Sequence, residues 1–200
     1  MKIFQIGFNR CGTVSLWKYF ENQGIKAVHW ENGNLARSMY HQHKRGAKLL
    51  SNYPDTVFFS DMESDMMLEG KPSWLYAHVD YYKVLDMHYP ESKFILNTRN
   101  IDDWINSRSN FYMTNDGSKQ EYLNCAKLIH NTDQEGVHNI WRNQWHEHHT
   151  EVLKYFKHRN EDLLVYNIDE DDSSKIKQFF TGLLELSDIP LPKLNSGKTH

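Results

Sequence analysis

The 200-residue sequence has few cysteines, no long apolar run and little net charge, and each shortage excludes a class of protein. Two cysteines, Cys11 and Cys125, are too few for a disulfide framework or a cysteine-based metal motif, which favours a reducing, cytoplasmic location. No stretch reaches the length of a membrane span and no signal-type leader is present, so neither a membrane partner nor export is predicted. The net charge of −3 argues against a nucleic-acid partner but leaves room for a local basic pocket.

The composition that is present is typical of a globular protein. Hydrophobic residues make up 39 % of the chain, aromatic residues 14 % and charged residues 24 %. A chain of this length is within the size of one domain and long enough to bury a sizeable core. Residues 1–200 are therefore predicted to form a single domain, and the sequence does not indicate its oligomeric state.

The N-terminus has the pattern of a phosphate-binding loop. Residues 2–8 form a short apolar run of strand type, Gly7 and Gly12 bracket a tight turn, and helical spacing begins at Thr13. Such a turn directs backbone N–H groups and the positive end of a helix dipole at one point, where an anion is favoured. Thr13 occupies the position at which the Walker A pattern has lysine, so the strong cation of this turn is Arg10.

Strands and helices alternate along the rest of the chain. Further buried strands are predicted at residues 25–29, 56–60, 93–98 and 162–167. Helices are predicted at residues 34–50, 73–87, 133–158 and 173–186, and another begins at residue 102. This alternation predicts an α/β fold of three layers, in which a mostly parallel five-stranded sheet of the P-loop nucleotide-binding type has helices on both faces.

Candidate functional residues follow the predicted strands directly. They are Arg10, His29, Asp61, Glu63 and Arg99. Because ligands of parallel sheets bind outside the carboxyl ends of the strands, one cleft would hold all five. Ser107 lies about two helical turns beyond Arg99, a spacing that lets one ligand group touch both.

Several histidines invite a metal hypothesis that the spacing does not support. The zinc-protease pattern needs a second histidine four residues after His146, and position 150 is threonine. His41 and His43 lie two residues apart on a predicted helix, do not share a face and are expected in solvent. No metal is therefore predicted.

Three stretches resemble sulfotransferases that use 3′-phosphoadenosine 5′-phosphosulfate (PAPS). GFNRCGTVSL, residues 7–16, is similar to the 5′-phosphosulfate loop of that family. YPESKFILNTRNIDDWINS, residues 89–107, is similar to its 3′-phosphate motif, with Arg99 and Ser107 at the phosphate-binding positions. IPLPKLN, residues 189–195, looks like the ending of one small-sulfotransferase branch. The resemblance covers nearly the whole chain and is weak between residues 110 and 159.

The resemblance implies in-line transfer of a sulfuryl group from PAPS to a hydroxyl or amine acceptor, with 3′-phosphoadenosine 5′-phosphate (PAP) as product and no metal. It implies donor-binding roles for Arg10, Cys11, Gly12, Thr13, Val14, Ser15, Arg99 and Ser107. The implied catalytic group is Arg10, Asp61, Glu63 and His29. Arg10 would stabilise transition-state charge. Asp61 is the first choice as general base, ahead of Glu63 and His29, although a role in capping the next segment fits it equally.

The sequence does not identify the acceptor, which is expected to be a small molecule or carbohydrate. Its pocket is predicted from residues 32–44, 61–74 and 111–131. Many cytosolic members have an adenine-stacking tryptophan where this chain has Ser15, so the residue that holds the base is not indicated. Two other functions remain open: a P-loop nucleotide or small-molecule kinase, against which the missing Walker lysine counts, and a non-catalytic protein that binds PAPS or PAP.

Overall fold

The computed structural model describes residues 1–68, 70–115 and 118–194. The strands in these ranges are β1 (Ile3–Gln5), β2 (Ala27–His29), β3 (Phe58–Ser60), β4 (Glu63–Leu68), β5 (Lys71–Tyr76), β6 (Lys93–Thr98), β7 (Tyr112–Asn115), β8 (Ser118–Glu121) and β9 (Leu163–Asn167). The helices are α1 (Thr13–Asn22), α2 (Asn34–Lys44), α3 (Ala77–His88), α4 (Ile101–Ser109), α5 (Tyr122–His130), α6 (Gln134–Tyr155) and α7 (Ser173–Phe179). A 3₁₀ turn (Glu31–Gly33) precedes α2.

Five strands form one parallel sheet in the order β2-β3-β1-β6-β9. In the central strand, Phe4 is in register with Phe59 of β3 and with Phe94 of β6. All three residues of β1 are buried, as expected for a strand covered on both faces. The predicted five-stranded sheet is confirmed, and every strand pairing within it is parallel.

Helices cover both faces of this sheet because alternate side chains of each strand point to opposite sides. On one face, Phe4 belongs to a core cluster with Leu85 of α3 and Phe156 at the end of α6. On the other face, Phe20 of α1 stacks on Phe58 with ring centroids 4.3 Å apart. Complete burial of one such ring stabilises the fold by about 1.5–3 kcal/mol.

The long helix α6 places an aromatic face behind residues 7–12, which we call the 7–12 loop. Its inward side chains recur at steps of three and four residues and are all buried, namely Val137, Trp141, Trp145, His148 and Val152. Trp145 lies 4.6 Å from Trp104 of α4, and Phe8 of the loop lies 5.2 Å from Trp104, measured between ring centroids. The loop therefore rests on a cluster of large rings.

Three helix predictions are wrong in their bounds. Residues 73–76, predicted as the start of a helix, form the end of β5, which pairs antiparallel with β4. The helix predicted to residue 50 ends at Lys44, shortly before Gly46 with φ of 64°. The helix predicted to residue 186 ends at Phe179, and Gly182 with φ of 79° follows. A glycine in the left-handed region stops a helix there although the apolar spacing continues.

Two small antiparallel pairs lie outside the main sheet, β4 with β5 and β7 with β8. We call the first the β4–β5 hairpin. The second pair and α5 fall in the stretch where the family resemblance is weak, and the sequence did not predict them. No helix among the described residues is long and apolar enough to cross a membrane.

Candidate functional site

A cavity of about 810 Å³ lies at the carboxyl edge of the sheet. One residue at or just after each of the five strands lines it, in sheet order His29, Asp61, Arg10, Arg99 and Asp169. Glu63 lines it as well. All five residues predicted at strand ends therefore share this cavity, because parallel strands place their carboxyl ends at one edge.

The backbone of the 7–12 loop is held from behind by Asn97, a fully buried residue of β6. Its Oδ1 accepts a hydrogen bond of 2.9 Å from the Gly7 amide, and its Nδ2 donates one of 2.8 Å to the Cys11 carbonyl. A side chain at position 7 would place its Cβ 2.0 Å from the Asn97 carbonyl oxygen, so only glycine fits. One amide side chain thus joins both ends of the loop.

Asn9, in the middle of the loop, is fixed by three more groups. The indole Nε1 of Trp104 donates to its carbonyl at 2.9 Å, and Nε of Arg108 donates to its Oδ1 at 2.9 Å. The Asn9 amide donates to Oε1 of Glu63 at 2.9 Å. The loop conformation is therefore set by buried partners before any ligand binds.

Glu63 and Arg108 form a buried ion pair between the hairpin and α4. Nη2 of Arg108 lies 3.3 Å from Oε2 of Glu63 and donates to the Tyr122 hydroxyl at 2.5 Å. The same Oε2 accepts hydrogen bonds from Trp74 Nε1 and the Tyr122 hydroxyl, both at 3.3 Å. Both carboxylate oxygens of Glu63 are thus engaged by protein groups, and this geometry favours a structural role over the predicted role as base.

The surroundings of Arg108 keep it charged. Its side chain is fully buried, and its guanidinium carbon lies 4.7 Å from the Trp104 ring and 4.9 Å from those of Tyr122 and Trp141. Burial lowers the pKa of Arg108, but Tyr122, Tyr76 and Glu63 together raise it by more than burial lowers it, so the net shift is upward. A positive charge therefore stays directly behind the loop.

Arg10 extends from the loop towards α4. Its Nε donates to Oγ of Ser107 at 3.2 Å, and its guanidinium carbon lies 4.5 Å from the centre of the Phe111 ring. Burial lowers the pKa of Arg10, Arg99 adds to that shift and Asp61 opposes it. An arginine stays protonated in a protein despite such a shift, so Arg10 presents a permanent cation to the cavity.

Arg99 lies beside Arg10 at the end of β6. Its Nη1 donates to the Arg10 carbonyl at 3.3 Å, and its Nη2 lies 3.5 Å from Oδ1 of Asp169. Its Nε is buried and has no hydrogen-bond partner among the residues that the structure describes. Leaving a buried charged donor unsatisfied costs on the order of 1–3 kcal/mol or more, and an anionic ligand would remove that cost.

The first turn of α1 offers backbone donors to the same cavity. Gly12, with φ of 75°, precedes the helix, no side chain caps it and its first turn has no acidic residue. The amides of Thr13, Val14 and Ser15 are thus left without intrahelical partners. In contrast, Asn100 caps α4 through its side chain. An uncapped helix N-terminus that lines a cavity is suited to an anion.

Cys11 differs from its neighbours in the loop. Its side chain is fully buried with the aromatic cluster behind the loop, and burial raises the pKa of its thiol. It does not line the cavity. Any contact of Cys11 with a ligand would therefore come from its backbone.

Asp61 and His29 meet on the other side of Arg10. Oδ2 of Asp61 lies 3.6 Å from Nε2 of His29, and Nδ1 of His29 is 2.9 Å from Oγ of Ser60. Burial, followed by the charge of Glu63, raises the pKa of Asp61 to about 8, although Arg108 and Arg10 oppose the shift. Burial and Lys18 lower the pKa of His29 to about 4. At neutral pH both groups are therefore uncharged, and the short distance between them is not a salt bridge.

Three non-glycine residues at strand ends have left-handed backbone conformations. The φ angles are 62° for Arg10, 53° for Trp30 and 54° for Asp61. Such conformations cost on the order of 1–3 kcal/mol each and occur preferentially at functional sites. All three residues line the cavity.

The predicted acceptor pocket is partly wrong. Among the described residues, none of positions 32–44 lines the cavity, because the apolar face of α2 is buried in the core; Trp30 lines it instead. The other two predicted stretches contribute Asp61, Glu63, Ser64, Asp65, Trp74, Phe111, Tyr112 and Tyr122. Asn195 of the predicted C-terminal motif lies outside the described residues.

The histidines differ in their exposure. His41 and His43 are exposed, as predicted, and His146 is exposed as well. His148 is buried, and its Nε2 donates to the Ile6 carbonyl at 2.6 Å. The described part of the chain contains no group of three or more His, Cys, Asp or Glu side chains arranged to hold a metal ion.

Sequence reasoning missed Asn97, Arg108 and Asp169, and it included Tyr122 only within the predicted pocket stretch 111–131. Asn97 had a readable signal, because a polar residue inside a buried strand needs hydrogen-bond partners. Arg108 and Tyr122 had none, since their partner Glu63 is 45 and 59 residues away in the sequence.

The parallel sheet and the 7–12 loop define an α/β domain of the P-loop type. A family model described as "Sulfotransferase domain" matches residues 2–200, and the chain belongs to that family. Family membership supports sulfuryl transfer as the general reaction. No curated protein sequence matches the chain significantly.

Proposed function

We propose that this protein transfers a sulfuryl group from PAPS to a hydroxyl or amine acceptor. The observation that carries the proposal is a pair of neighbouring anion sites. One is the uncapped first turn of α1, and the other is Arg99, whose buried Nε lacks a partner in the described part of the chain. A donor with phosphate groups at both its 5′ and 3′ positions fits two such sites.

The 5′ side of the donor would be held by backbone amides. Thr13, Val14 and Ser15 supply them, and Thr13 and Ser15 add hydroxyl groups. The 3′-phosphate would be held by Arg99 and by Ser107, whose Oγ already contacts Arg10. Asp169 near Arg99 would have to share that guanidinium with the phosphate.

When bound, PAPS supplies the sulfuryl group. The acceptor atom forms a bond to sulfur while the bond from sulfur to the bridging oxygen breaks, and the electron pair of the broken bond stays on the nucleotide phosphate. Arg10 stabilises the negative charge that develops on that oxygen. The fixed loop amides contribute to the same stabilisation, because Asn97 and Glu63 hold the loop in place.

The acceptor proton would pass to Asp61 in its carboxylate form. Asp61 lines the cavity, and no residue within the described ranges donates a hydrogen bond to its oxygens, whereas both oxygens of Glu63 accept one. A carboxylate with a raised pKa is a stronger base than an ordinary one. His29, neutral at physiological pH, is the group beside Asp61 that can relay the proton.

Stabilisation by nucleotides tests the proposal. PAP should raise the melting temperature clearly more than AMP at equal concentration, because AMP lacks the 3′-phosphate that Arg99 and Ser107 would hold. ATP with magnesium should have less effect than PAP, whereas a kinase would respond to it. Equal shifts with PAP and AMP would contradict the assignment of Arg99 and Ser107, and turnover of labelled PAPS would separate an enzyme from a non-catalytic binding protein.

A further inference from the structure

The cavity has a second side that the donor does not need. β1 is the middle strand of the sheet, so the 7–12 loop divides the cavity. Arg99 and Asp169 lie on one side of it, while His29, Trp30 and Asp61 lie on the other. The β4–β5 hairpin and α5 add Asp65, Trp74 and Tyr122 to the cavity lining.

The rings on this second side show apolar surface to the cavity. Trp74 and Tyr122 meet edge to face with centroids 4.5 Å apart, and Phe111 lies 6.0 Å from Tyr122. The Trp74 Nε1 and the Tyr122 hydroxyl both donate to Glu63, behind the cavity wall. Tyr122 is itself fully buried, so the half-buried Trp74, whose polar atom is engaged by Glu63, is the side chain that offers ring surface to a ligand.

A carboxylate stands beside this ring surface. Asp65 and Trp74 are directly opposite each other in the antiparallel register of the hairpin, so their side chains share one face of it. Asp65 is exposed and lines the cavity. A ring next to a carboxylate is suited to a positively charged group, through cation–π attraction and direct charge pairing.

The other acidic groups on this side are uncharged or already balanced. Asp61 is uncharged at neutral pH and Glu63 is neutralised by Arg108, so the exposed Asp65 is left as the uncompensated carboxylate. Arg10 lines the cavity with its guanidinium carbon 4.5 Å from the centre of the Phe111 ring, and the proposed function directs it at the sulfuryl group. A negatively charged acceptor next to Trp74 would therefore be repelled by the Asp65 carboxylate.

We infer that this side is an acceptor subsite for hydroxyl compounds that contain a ring and carry no negative charge, and that it binds best those with an ammonium group. The inference rests on the proposed function and narrows its acceptor class. It excludes acidic sugars and acidic peptides as acceptors. Asp65 acts as a specificity-determining residue that contacts the ammonium group, while Trp74 contacts the ring.

Three phenols that differ in one terminal group test this inference. They are 4-hydroxyphenethylamine, 4-propylphenol and 3-(4-hydroxyphenyl)propanoate, which carry an ammonium, a methyl and a carboxylate group on the same two-carbon arm. Calorimetry on the PAP-loaded protein would measure their dissociation constants, and labelled PAPS would measure turnover. We expect the amine to bind about two- to fivefold more tightly than the neutral phenol. The carboxylate should bind about tenfold or more weakly than the neutral phenol.

A matched pair of variants assigns the effect to Asp65. Asp65→Asn should bring the amine-to-neutral ratio close to one without changing PAP binding. Glu161→Gln, which removes a negative charge at an exposed position outside the cavity, should leave the ratio unchanged. Binding of the carboxylate as tightly as the amine, or of none of the three phenols to PAP-loaded protein, would overturn the inference. Failure of PAP itself to bind would instead overturn the proposed function.

Discussion

The two sides of the cavity present different chemical groups to a ligand. On the donor side, the amides in the first turn of α1 and the arginines Arg10 and Arg99 face the ligand, and the buried Asn97 holds the loop that carries Arg10. On the side of the β4–β5 hairpin, ring surfaces and carboxylates face the ligand. A site made of backbone groups depends on position to within a fraction of an ångström, whereas a site made of side chains can change its selectivity by substitution. We therefore expect changes behind the loop to affect folding and catalysis, and changes on the hairpin to affect acceptor choice.

Removing the Glu63–Arg108 ion pair should have the largest effect on stability, because the pair joins the two sides of the cavity. Glu63→Ala leaves the fully buried Arg108 without its carboxylate, and removing one partner of a buried ion pair costs about 3–5 kcal/mol. The free energy of unfolding, measured by denaturant titration, should fall by that amount. Asp65→Ala is the matched control on the same strand, and its exposed side chain should cost no more than about 0.5 kcal/mol. Equal losses of unfolding free energy in the two variants would show that the ion pair contributes no more to stability than an exposed carboxylate does.

Arg10 should have the largest effect on turnover. It would stabilise charge that appears only in the transition state, so Arg10→Ala should lower kcat by about a hundredfold or more and weaken PAP binding less. Arg10→Lys should recover part of the activity, since it restores the charge without the forked geometry. Steady-state kinetics with labelled PAPS and a competent acceptor would measure both. Normal kcat with poor donor binding would make the loop a docking site only and assign charge stabilisation to another cation.

Arg99 should affect donor binding rather than turnover. Arg99→Ala should weaken PAP binding by about 2–4 kcal/mol, the range for loss of one partner of a desolvated charge pair. AMP binding should change little, because AMP has no 3′-phosphate. Arg142→Ala serves as control, since Arg142 is partly exposed on α6 and pairs with Asp102 at the surface. A similar loss of PAP and AMP affinity would argue against contact between Arg99 and the 3′-phosphate.

The pH dependence of stability should separate Asp61 from an ordinary surface carboxylate. The pKa of Asp61 is raised to about 8 by burial, so the folded protein keeps a proton that the unfolded chain loses near pH 4. The stabilisation from this proton is complete below about pH 4 and is lost as the pH rises towards about 8. Asp61→Asn should flatten the fall of the unfolding free energy in that window. Turnover of the unsubstituted protein should rise there as the carboxylate forms.

Asp172 provides a control with the opposite sign. Its hydrogen bonds with Ser174 lower its pKa, so it contributes stability above its unfolded pKa that is lost as the pH falls. Asp172→Asn should therefore change the acid side of the stability profile and leave the region from about pH 5 to pH 8 unaltered. If Asp61→Asn had the same profile as Asp172→Asn, the raised pKa of Asp61 would be refuted.

The sequence predicted one side of the cavity much better than the other. Buried parallel strands are continuous apolar runs, and the bounds predicted for β6 agree with the structure at both ends. The predicted strand ends were sufficient to place Arg10, Asp61 and Arg99 at one edge of the sheet, although the contacts of these residues could not be predicted. A buried parallel sheet allows this because its topology converts sequence order into spatial proximity.

The hairpin side was harder for physical reasons. β5 contains Pro72 and has Leu75 as its one buried residue, and its final residues continue into α3 with apolar spacing that resembles one longer helix. The Glu63–Arg108 pair joins elements 45 residues apart, and charge pairing across that separation leaves no local pattern. Gly70, with φ of 78°, was the one local sign of a turn.

The left-handed conformations of Arg10, Trp30 and Asp61 have a consequence for directed evolution. Glycine adopts such conformations without strain, so replacing any of the three would remove a local cost of the folded state. Selection for heat resistance alone would favour glycine at these positions. Selection for turnover would eliminate the glycine variants, because the three side chains line the cavity. Libraries of this protein should therefore hold these three positions fixed and take stability from elsewhere, for example from exposed helix positions distant from the cavity.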